Sequence, residues 1–270
     1  MADGTTLLCF PRGKKSEVAC GDEVLVEQTS PGQGVISTIE ARRTLLYRSD
    51  PFKQKLIAAN VTQVIIVVAT EPAFSDELVT RCIVAAESQA ITPLIVLNKS
   101  DLSERVAAAS ATLLQYQKLG YRVVTLSATH DGAHLLPYLA NHVSLLIGQS
   151  GMGKSTLINA VLPDARAATR EISAALNTGK HTTTHSRLYG LGTATALIDS
   201  PGLTEFGLHH LSPEDIAQAF LELRPLLGHC RFRNCRHDRE PDCSVHAALR
   251  NGEINPRRYA AFRSLCAEIG

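Results

Sequence analysis

Gly148-Gln149-Ser150-Gly151-Met152-Gly153-Lys154-Ser155 decides how the whole chain is read. The stretch fits G-x-x-x-x-G-K-[ST], follows an apolar run at residues 143–147 and opens a helical pattern over 154–162. Strand, glycine loop and helix are the context in which this motif cradles phosphate; without it the same letters describe an ordinary glycine turn. Glycine lets the backbone curl around phosphate oxygens, and the N–H groups and helix N-terminus supply partial positive charge. Gly148, Gln149, Ser150, Gly151, Met152, Gly153, Lys154, Ser155 and Thr156 are therefore the candidate phosphate contacts. Lys154 is expected to bridge the β- and γ-phosphates, and Ser155 to ligate Mg2+.

Outward from this loop, strands alternate with helices from residue 61 onward. Residues 64–68, 93–97, 122–126, 143–147 and 194–198 read as strands; Ser75 and Ser103 stand where they can cap helices, and a short helix is expected at 133–140. This alternation predicts a mostly parallel sheet with helices on both faces. Residues 164–192, rich in Ala, Thr, Gly and His, break the rhythm and read as a long irregular loop of the kind that is usually functional.

Asn98-Lys99-Ser100-Asp101 closes one strand in the form N-K-x-D. The Asp101 carboxylate can accept from guanine N1–H and N2–H2, a pair of donors adenine lacks. Asn98 would hold O6/N7 or brace the phosphate loop, and the Lys99 stem would cover the ring. Four residues are a weak pattern alone; beside a phosphate loop in the same α/β unit they point to guanine. Ser127-Ala128 ends the next strand, where a backbone N–H can help read O6. Asp199-Ser200-Pro201-Gly202 ends another; Asp199 is expected to hold Mg2+ through water, and the Gly202 N–H to sense the γ-phosphate. The run Thr182-Thr183-Thr184 offers hydroxyls for Mg2+ and the γ-phosphate, Thr183 among them, without a choice between the three.

The motif order is N-K-x-D, Ser-Ala, phosphate loop, Thr run, D-x-P-G, whereas ordinary GTPases carry the base-recognition pair last. This is the order of a circularly permuted GTPase. Leu203 stands where many GTPases have a water-positioning Gln, so intrinsic hydrolysis should be slow. His181 is the candidate to orient the attacking water, with His185 second, since imidazole can accept from water at neutral pH.

Residues 1–60 read as short strands at 7–10, 23–27, 34–39 and 45–48, with Pro31-Gly32-Gln33-Gly34 as a turn, which fits a small OB-type β-barrel. At the other end, Ser212-Pro213-Glu214-Asp215 starts a helix with Ile216, Phe220, Leu223 and Leu227 as its apolar stripe. A second helix is expected to begin with residues 245–249 and to end by Gly252. A last one begins at Asn255-Pro256, with Tyr259, Phe262, Cys266 and Ile269 on one face.

The composition, 44% hydrophobic and 20% charged over 270 residues, is that of a folded globular chain. No apolar run reaches the ~18 residues of a membrane span, and residues 1–10 lack the pattern of a signal peptide, so a cytoplasmic monomer without membrane contact is expected. Net charge is only +1, but residues 224–270 hold nine Arg, no Lys and five acidic residues. Guanidinium suits phosphate and bases, which suggests RNA contact, although a solvated face carries the same pattern. Seven cysteines in such a compartment argue against a disulfide framework. Cys230-x4-Cys235-x-His237-x5-Cys243 instead supplies a Cys3His set for one structural zinc ion, with His229 and His246 as alternative ligands. In a segment this small the metal would contribute much of the folding energy.

Permuted motifs flanked by a barrel and a Cys3His module together resemble one family, the ribosome small-subunit-dependent GTPase RsgA (YjeQ). The matching residues are 98–101, 148–155, Gly179-Lys180-His181-Thr182-Thr183-Thr184, 199–202, and Cys230, Cys235, His237 and Cys243 with Glu240-Pro241. The resemblance implies a multidomain α/β chain: an OB-type barrel over 1–60, a permuted GTPase domain over 61–223 and a helical zinc-binding domain over 224–270. It also implies a bacterial factor that binds the small ribosomal subunit and its rRNA late in maturation, where the subunit stimulates GTP hydrolysis and hydrolysis releases the factor. The barrel reads as short, because little sequence precedes residues 7–10 where the family usually has another strand. A second class of function, an RNA-binding module whose slowly hydrolysing GTP site sets conformation, differs in not being strongly stimulated by small subunits. An ATPase is a third, which Asp101 argues against.

Overall fold

The computed structural model describes residues 5–12, 18–49, 54–162, 186–200 and 207–269. At the N-terminus, β1 (Leu8–Pro11), β2 (Val24–Ser30) and β3 (Gln33–Ile39) form a three-stranded sheet in the order β1-β3-β2. The β2–β3 pair is antiparallel and β1 runs parallel to β3. A separate antiparallel pair follows, β4 (Leu45–Ser49) and β5 (Gln54–Ala59). Strand β5 is not expected from its residues, because Gln-Lys-Leu-Ile-Ala-Ala lacks alternation and is rich in helix formers. The two sheets are pinned at Gly21, whose φ is +95° and where a Cβ would come 2.3 Å from the Ala59 carbonyl oxygen. Ala59 N donates to Cys20 O beside it, and Arg42 grips the buried Asp22 carboxylate through Nε and Nη2 at 2.7 and 2.8 Å. Leu46, Ile57 and Ala58 pack into the same core as Val64 and Ile66.

The central sheet begins with β6 (Gln63–Ala69), buried along its whole length. Helix α1 (Asp76–Glu87), β7 (Thr92–Asn98), α2 (Ser103–Lys118) and β8 (Arg122–Thr125) follow, then the short α3 (Leu136–Leu139). Next come β9 (Val143–Ile147), α4 (Lys154–Val161), β10 (Arg187–Gly192) and β11 (Thr195–Asp199). The strand order is β10-β11-β9-β6-β7-β8, parallel except for the antiparallel edge strand β10. Side chains of β6 divide by the two-residue period of a strand. Val64, Ile66 and Val68 join α1 and α2 residues such as Ile83 and Leu113, while Ile65 and Val67 join Leu157 and Val161 of α4. The chain runs from β6 outward to β8, then returns to place β9 on the other side of β6. That is the switch point where doubly wound sheets hold ligands, beyond the carboxyl ends of the strands.

Ser75 caps α1 as expected, its hydroxyl accepting from Leu78 N. Ser103 does not cap α2: it is the first helical residue, and Leu102 occupies the cap without a side-chain bond. Part of the expected irregular loop is a strand, β10, whose half-buried Arg187, Tyr189 and Leu191 alternate with exposed positions; residues 163–185 lie outside the described residues.

Helix α5 (Pro213–Ala219) starts with a full capping box between Ser212 and Asp215, but it stops at Ala219 because Phe220 is extended. Phe220 and Leu223 are buried beyond the helix rather than on its stripe, and Leu227 lies past a further single turn. After α6 (Ser244–Arg250), α7 (Pro256–Ile269) docks on α5 and α1. Its buried face is Arg258, Phe262 and Leu265, whereas Tyr259, Cys266 and Ile269 are only partly buried. Arg258 is 2% exposed: its Nε donates to Glu222 at 2.7 Å, and its guanidinium lies over the Phe220 ring at 4.4 Å and the Tyr116 ring at 5.4 Å. Between β11 and α5, the His210 ring packs against Tyr47 of β4 with centroids 4.1 Å apart and planes tilted by 43°, and His209 Nε2 lies 3.5 Å from Glu268 of α7.

Candidate nucleotide site and metal centre

The phosphate loop leaves β9 beside β6. A Cβ on Gly148 would sit 2.3 Å from the Val67 carbonyl oxygen, so only glycine lets the loop leave the sheet this closely. Gly153 precedes α4 with φ +89°, and a Cβ there would sit 2.3 Å from Asn98 Nδ2. Met152 is buried against the α4 face of the sheet, while Ser155 and Thr156 expose the first turn of α4. Lys154 Nζ lies within the loop, donating to the Gly148 and Gln149 carbonyls at 2.5 and 2.9 Å. Burial pushes its pKa down and that of Asp199, at the end of β11, up; each charge partly offsets the other's shift. Gln149 Oε1 accepts from Ser75 N at 2.9 Å, tying the loop to the start of α1.

Asn98 joins the motifs. Its Nδ2 donates to Met152 O at 2.8 Å and its Oδ1 accepts from Ala128 N at 2.8 Å, with the side chain 1% exposed. Of the two roles open to it, Asn98 takes the brace. Lys99 has φ +61° and its Nζ donates to Glu71 O at 2.7 Å. The Asp101 carboxyl is held below its usual range, chiefly by the Ser127 hydroxyl donating to Oδ1 at 2.6 Å. The backbone N–H of Ser127 donates to Asp131 Oδ1 at 2.6 Å and that of Ala128 to Asn98 Oδ1 at 2.8 Å. What this segment turns toward Asp101 is the Ser127 hydroxyl. The Ser-Ala pattern does not extend to Thr129, His130 and Asp131, whose signal is the polar run Thr-His-Asp at a strand end. His181, Thr182, Thr183, Thr184, His185, Gly202 and Leu203 lie outside the described residues.

Farther along the chain, one donor atom from each of Cys230, Cys235, His237 and Cys243 lies within 4.8 Å of the others. His237 Nδ1 is 3.5 Å from Cys230 Sγ and 3.4 Å from Cys243 Sγ, and those sulfurs are 3.9 Å apart. Tetrahedral zinc, with Zn–S about 2.3 Å and Zn–N about 2.0 Å, needs ligand separations of roughly 3.5–3.8 Å, so the donor set fits. His229 and His246 are not in the group; His246 Nε2 pairs with Tyr259 OH at 2.8 Å, and that hydroxyl donates to His237 O at 2.8 Å. Glu240 closes the loop between the ligands. Its carboxylate accepts from the amides of Arg236, Asp238 and Arg239, which hold its pKa down at about 2. No described helix is long and apolar enough to cross a membrane.

A phosphate loop, an N-K-x-D turn and, at the end of β11, the Asp199 that opens D-x-P-G in the sequence, all on one mostly parallel sheet and in permuted order, define a circularly permuted P-loop GTPase. The RsgA GTPase family matches residues 39–209. A small ribosomal subunit biogenesis GTPase RsgA from Burkholderia pseudomallei (strain K96243) is 56% identical over 99% of this chain and 87% of its own length. Its namesake from Nitrosospira multiformis is 54% identical, over 99% and 86%. Among solved structures, YjeQ from Thermotoga maritima superposes with a TM-score of 0.74 at 29% identity, covering 97% of this chain and 90% of its own. YloQ, described as a circularly permuted GTPase, gives 0.71 at 26%, covering 97% and 86%. The chain belongs to the RsgA GTPase family and is a GTP-hydrolysing enzyme.

Proposed function

We propose that this chain is a GTPase of small ribosomal subunit biogenesis, binding the subunit and its rRNA late in maturation, stimulated there, and released by hydrolysis. The observation that carries the nucleotide half is the Asn98 side chain, which bonds the phosphate loop and the Ser127-Ala128 segment at once and so gathers three separated motifs. The ribosomal half rests on relatives named for small-subunit biogenesis. In this reading residues 1–60 form the RNA-facing OB-type module, 61–223 the GTPase and 224–270 a zinc-stabilised module, working as a cytoplasmic monomer.

GTP would lie beyond the ends of β6, β7 and β9. Asp101 accepts from guanine N1–H and N2–H2, Lys99 covers the ring, and Asn98 and Ser127 hold the base-reading turn in shape. The amides of residues 148–156 and the Lys154 ammonium hold the phosphates, with Gly202 at the γ-phosphate. Ser155, one hydroxyl of the Thr182-Thr183-Thr184 run and, through water, Asp199 would hold Mg2+, which would neutralise charge on the β- and γ-oxygens. Water attacks the γ-phosphorus, the bond to the β,γ-bridging oxygen breaks, and His181 accepts a hydrogen bond from that water. Cys230, Cys235, His237 and Cys243 hold the structural zinc.

The test is GTP turnover with and without purified small subunits, with large subunits and free RNA as controls. Strong stimulation by small subunits alone is expected. Equal turnover in all four would overturn the ribosomal reading. His181→Ala should lower turnover and spare GTP affinity; unchanged turnover would remove His181 from the mechanism.

A further inference from the structure

His130 stands two residues beyond the Ser127-Ala128 pair and is exposed, yet its ring nitrogen points into the site. The Ser127 hydroxyl has one proton, and Asp101 Oδ1 at 2.6 Å, an acceptor only, takes it. Toward its other neighbours, Thr129 Oγ1 at 2.9 Å and His130 Nδ1 at 3.0 Å, Ser127 Oγ must therefore accept. Thr129 Oγ1 is itself 3.0 Å from His130 Nδ1, so the three atoms form a closed triangle. With Nδ1 as an N–H donor, His130 and Thr129 feed protons into this triangle and the Ser127 proton is left wholly to Asp101. With Nδ1 as a bare acceptor, the ring would compete with Asp101 for that proton. The charged and titratable neighbours are Asp101 and Lys99 across the site, and Asp131 and His134 on the same segment.

The link matters because a carboxylate turns easily about its last torsion. Asp101 is exposed, and among the described residues the one side-chain bond on its oxygens is from Ser127. We propose that His130 is a positioning residue for base selection, donating through Nδ1 into the Ser127 hydroxyl cluster that fixes the Asp101 carboxylate toward the exocyclic amine of guanine. The inference rests on Asp101 reading guanine. His130 touches no part of the nucleotide in this scheme; it acts through two side chains.

The experiment compares displacement of a fluorescent GDP analogue by GDP and by IDP, whose base lacks the exocyclic amine. The ratio of the two dissociation constants isolates the base, since the ribose and diphosphate are common to both. For His130→Ala the preference for GDP over IDP should fall about two- to tenfold, the worth of one hydrogen bond. His130→Asn, which puts an amide N–H near the place of Nδ1, should restore it to within about twofold. Ser127→Ala marks the floor. An unchanged ratio in His130→Ala, with the ratio lowered in Ser127→Ala, would overturn the role of His130. So would an equal fall in the alanine and asparagine variants, or a loss of affinity shared equally by GDP and IDP. A wild-type protein that binds GDP and IDP alike would remove the guanine reading of Asp101 itself, and the proposal with it.

Discussion

Replacing Asn98 with Ala tests whether one buried amide holds the nucleotide site together. The substitution removes the donor to Met152 O and the acceptor of Ala128 N, both 2.8 Å bonds in a side chain 1% exposed. Each group left buried and unpaired costs about 1–3 kcal/mol, and water entering the space vacated by the amide recovers some of that. A net loss of about 3 kcal/mol follows, or roughly a 6–12 °C fall in Tm for a unit of this size. Asn98→Asp is the sharper variant, because it is nearly isosteric. Its carboxylate still accepts from Ala128 N but turns an anionic oxygen on the Met152 carbonyl, so it should be at least as destabilising as Ala. Thermal unfolding with and without Mg·GDP, and titration of a fluorescent GDP analogue, read the two effects. Weaker GDP binding should accompany the lower Tm, since Met152 lies inside the phosphate loop. A Tm within about 1 °C of wild type with unchanged GDP affinity would refute the brace.

Other outcomes follow from the same structure. Cys235→Ser should lower bound zinc below one per chain, read by metal analysis, and open residues 230–243 to proteolysis; full zinc occupancy would refute the ligand set. Glu222→Ala strands the buried Arg258 charge and should cost about 3–5 kcal/mol in denaturant unfolding, whereas Glu222→Leu with Arg258→Met should be near neutral. If the single and double variants are equally unstable, the stranded charge is not the cause. Burial alone would raise the Asp22 pKa, but hydrogen bonds from Arg42 and the Ala19 amide outweigh it and hold the carboxyl low. Its stabilisation is therefore complete above the unfolded value near ~3.9 and fades as pH falls through the folded one. Asp22→Asn should lower stability at pH 7 and shrink the gap to wild type below about pH 4; a constant gap would count against the pair.

Much of the site was legible because its chemistry is local in sequence. The phosphate loop, N-K-x-D, D-x-P-G and Cys3His patterns each lie within fourteen residues, and strand β6 reads plainly because it is apolar on both faces. What failed depended on distant partners. Strand β5 has helix-forming residues, and its place comes from pairing with β4 and the approach of Gly21. Helix α5 ends where Phe220 turns out to pack against Phe262 and Arg258, forty residues on. The periodic face of α7 was read from its apolar residues, so an arginine at the centre of the interface went unseen: its burial is intelligible only with Glu222, Tyr116 and Phe220 around it. The side-chain partners of the Ser127 and Ala128 amides, Asp131 and Asn98, were likewise not legible, because one comes from a different strand end.

His209 and His210 are consecutive residues, about 3.8 Å apart along the chain, yet one meets α7 and the other meets β4. The N-terminal hairpin and the C-terminal helix, far apart in sequence, thus both touch one peptide unit, in addition to the core contacts each makes elsewhere. A displacement of this backbone reaches both contacts together.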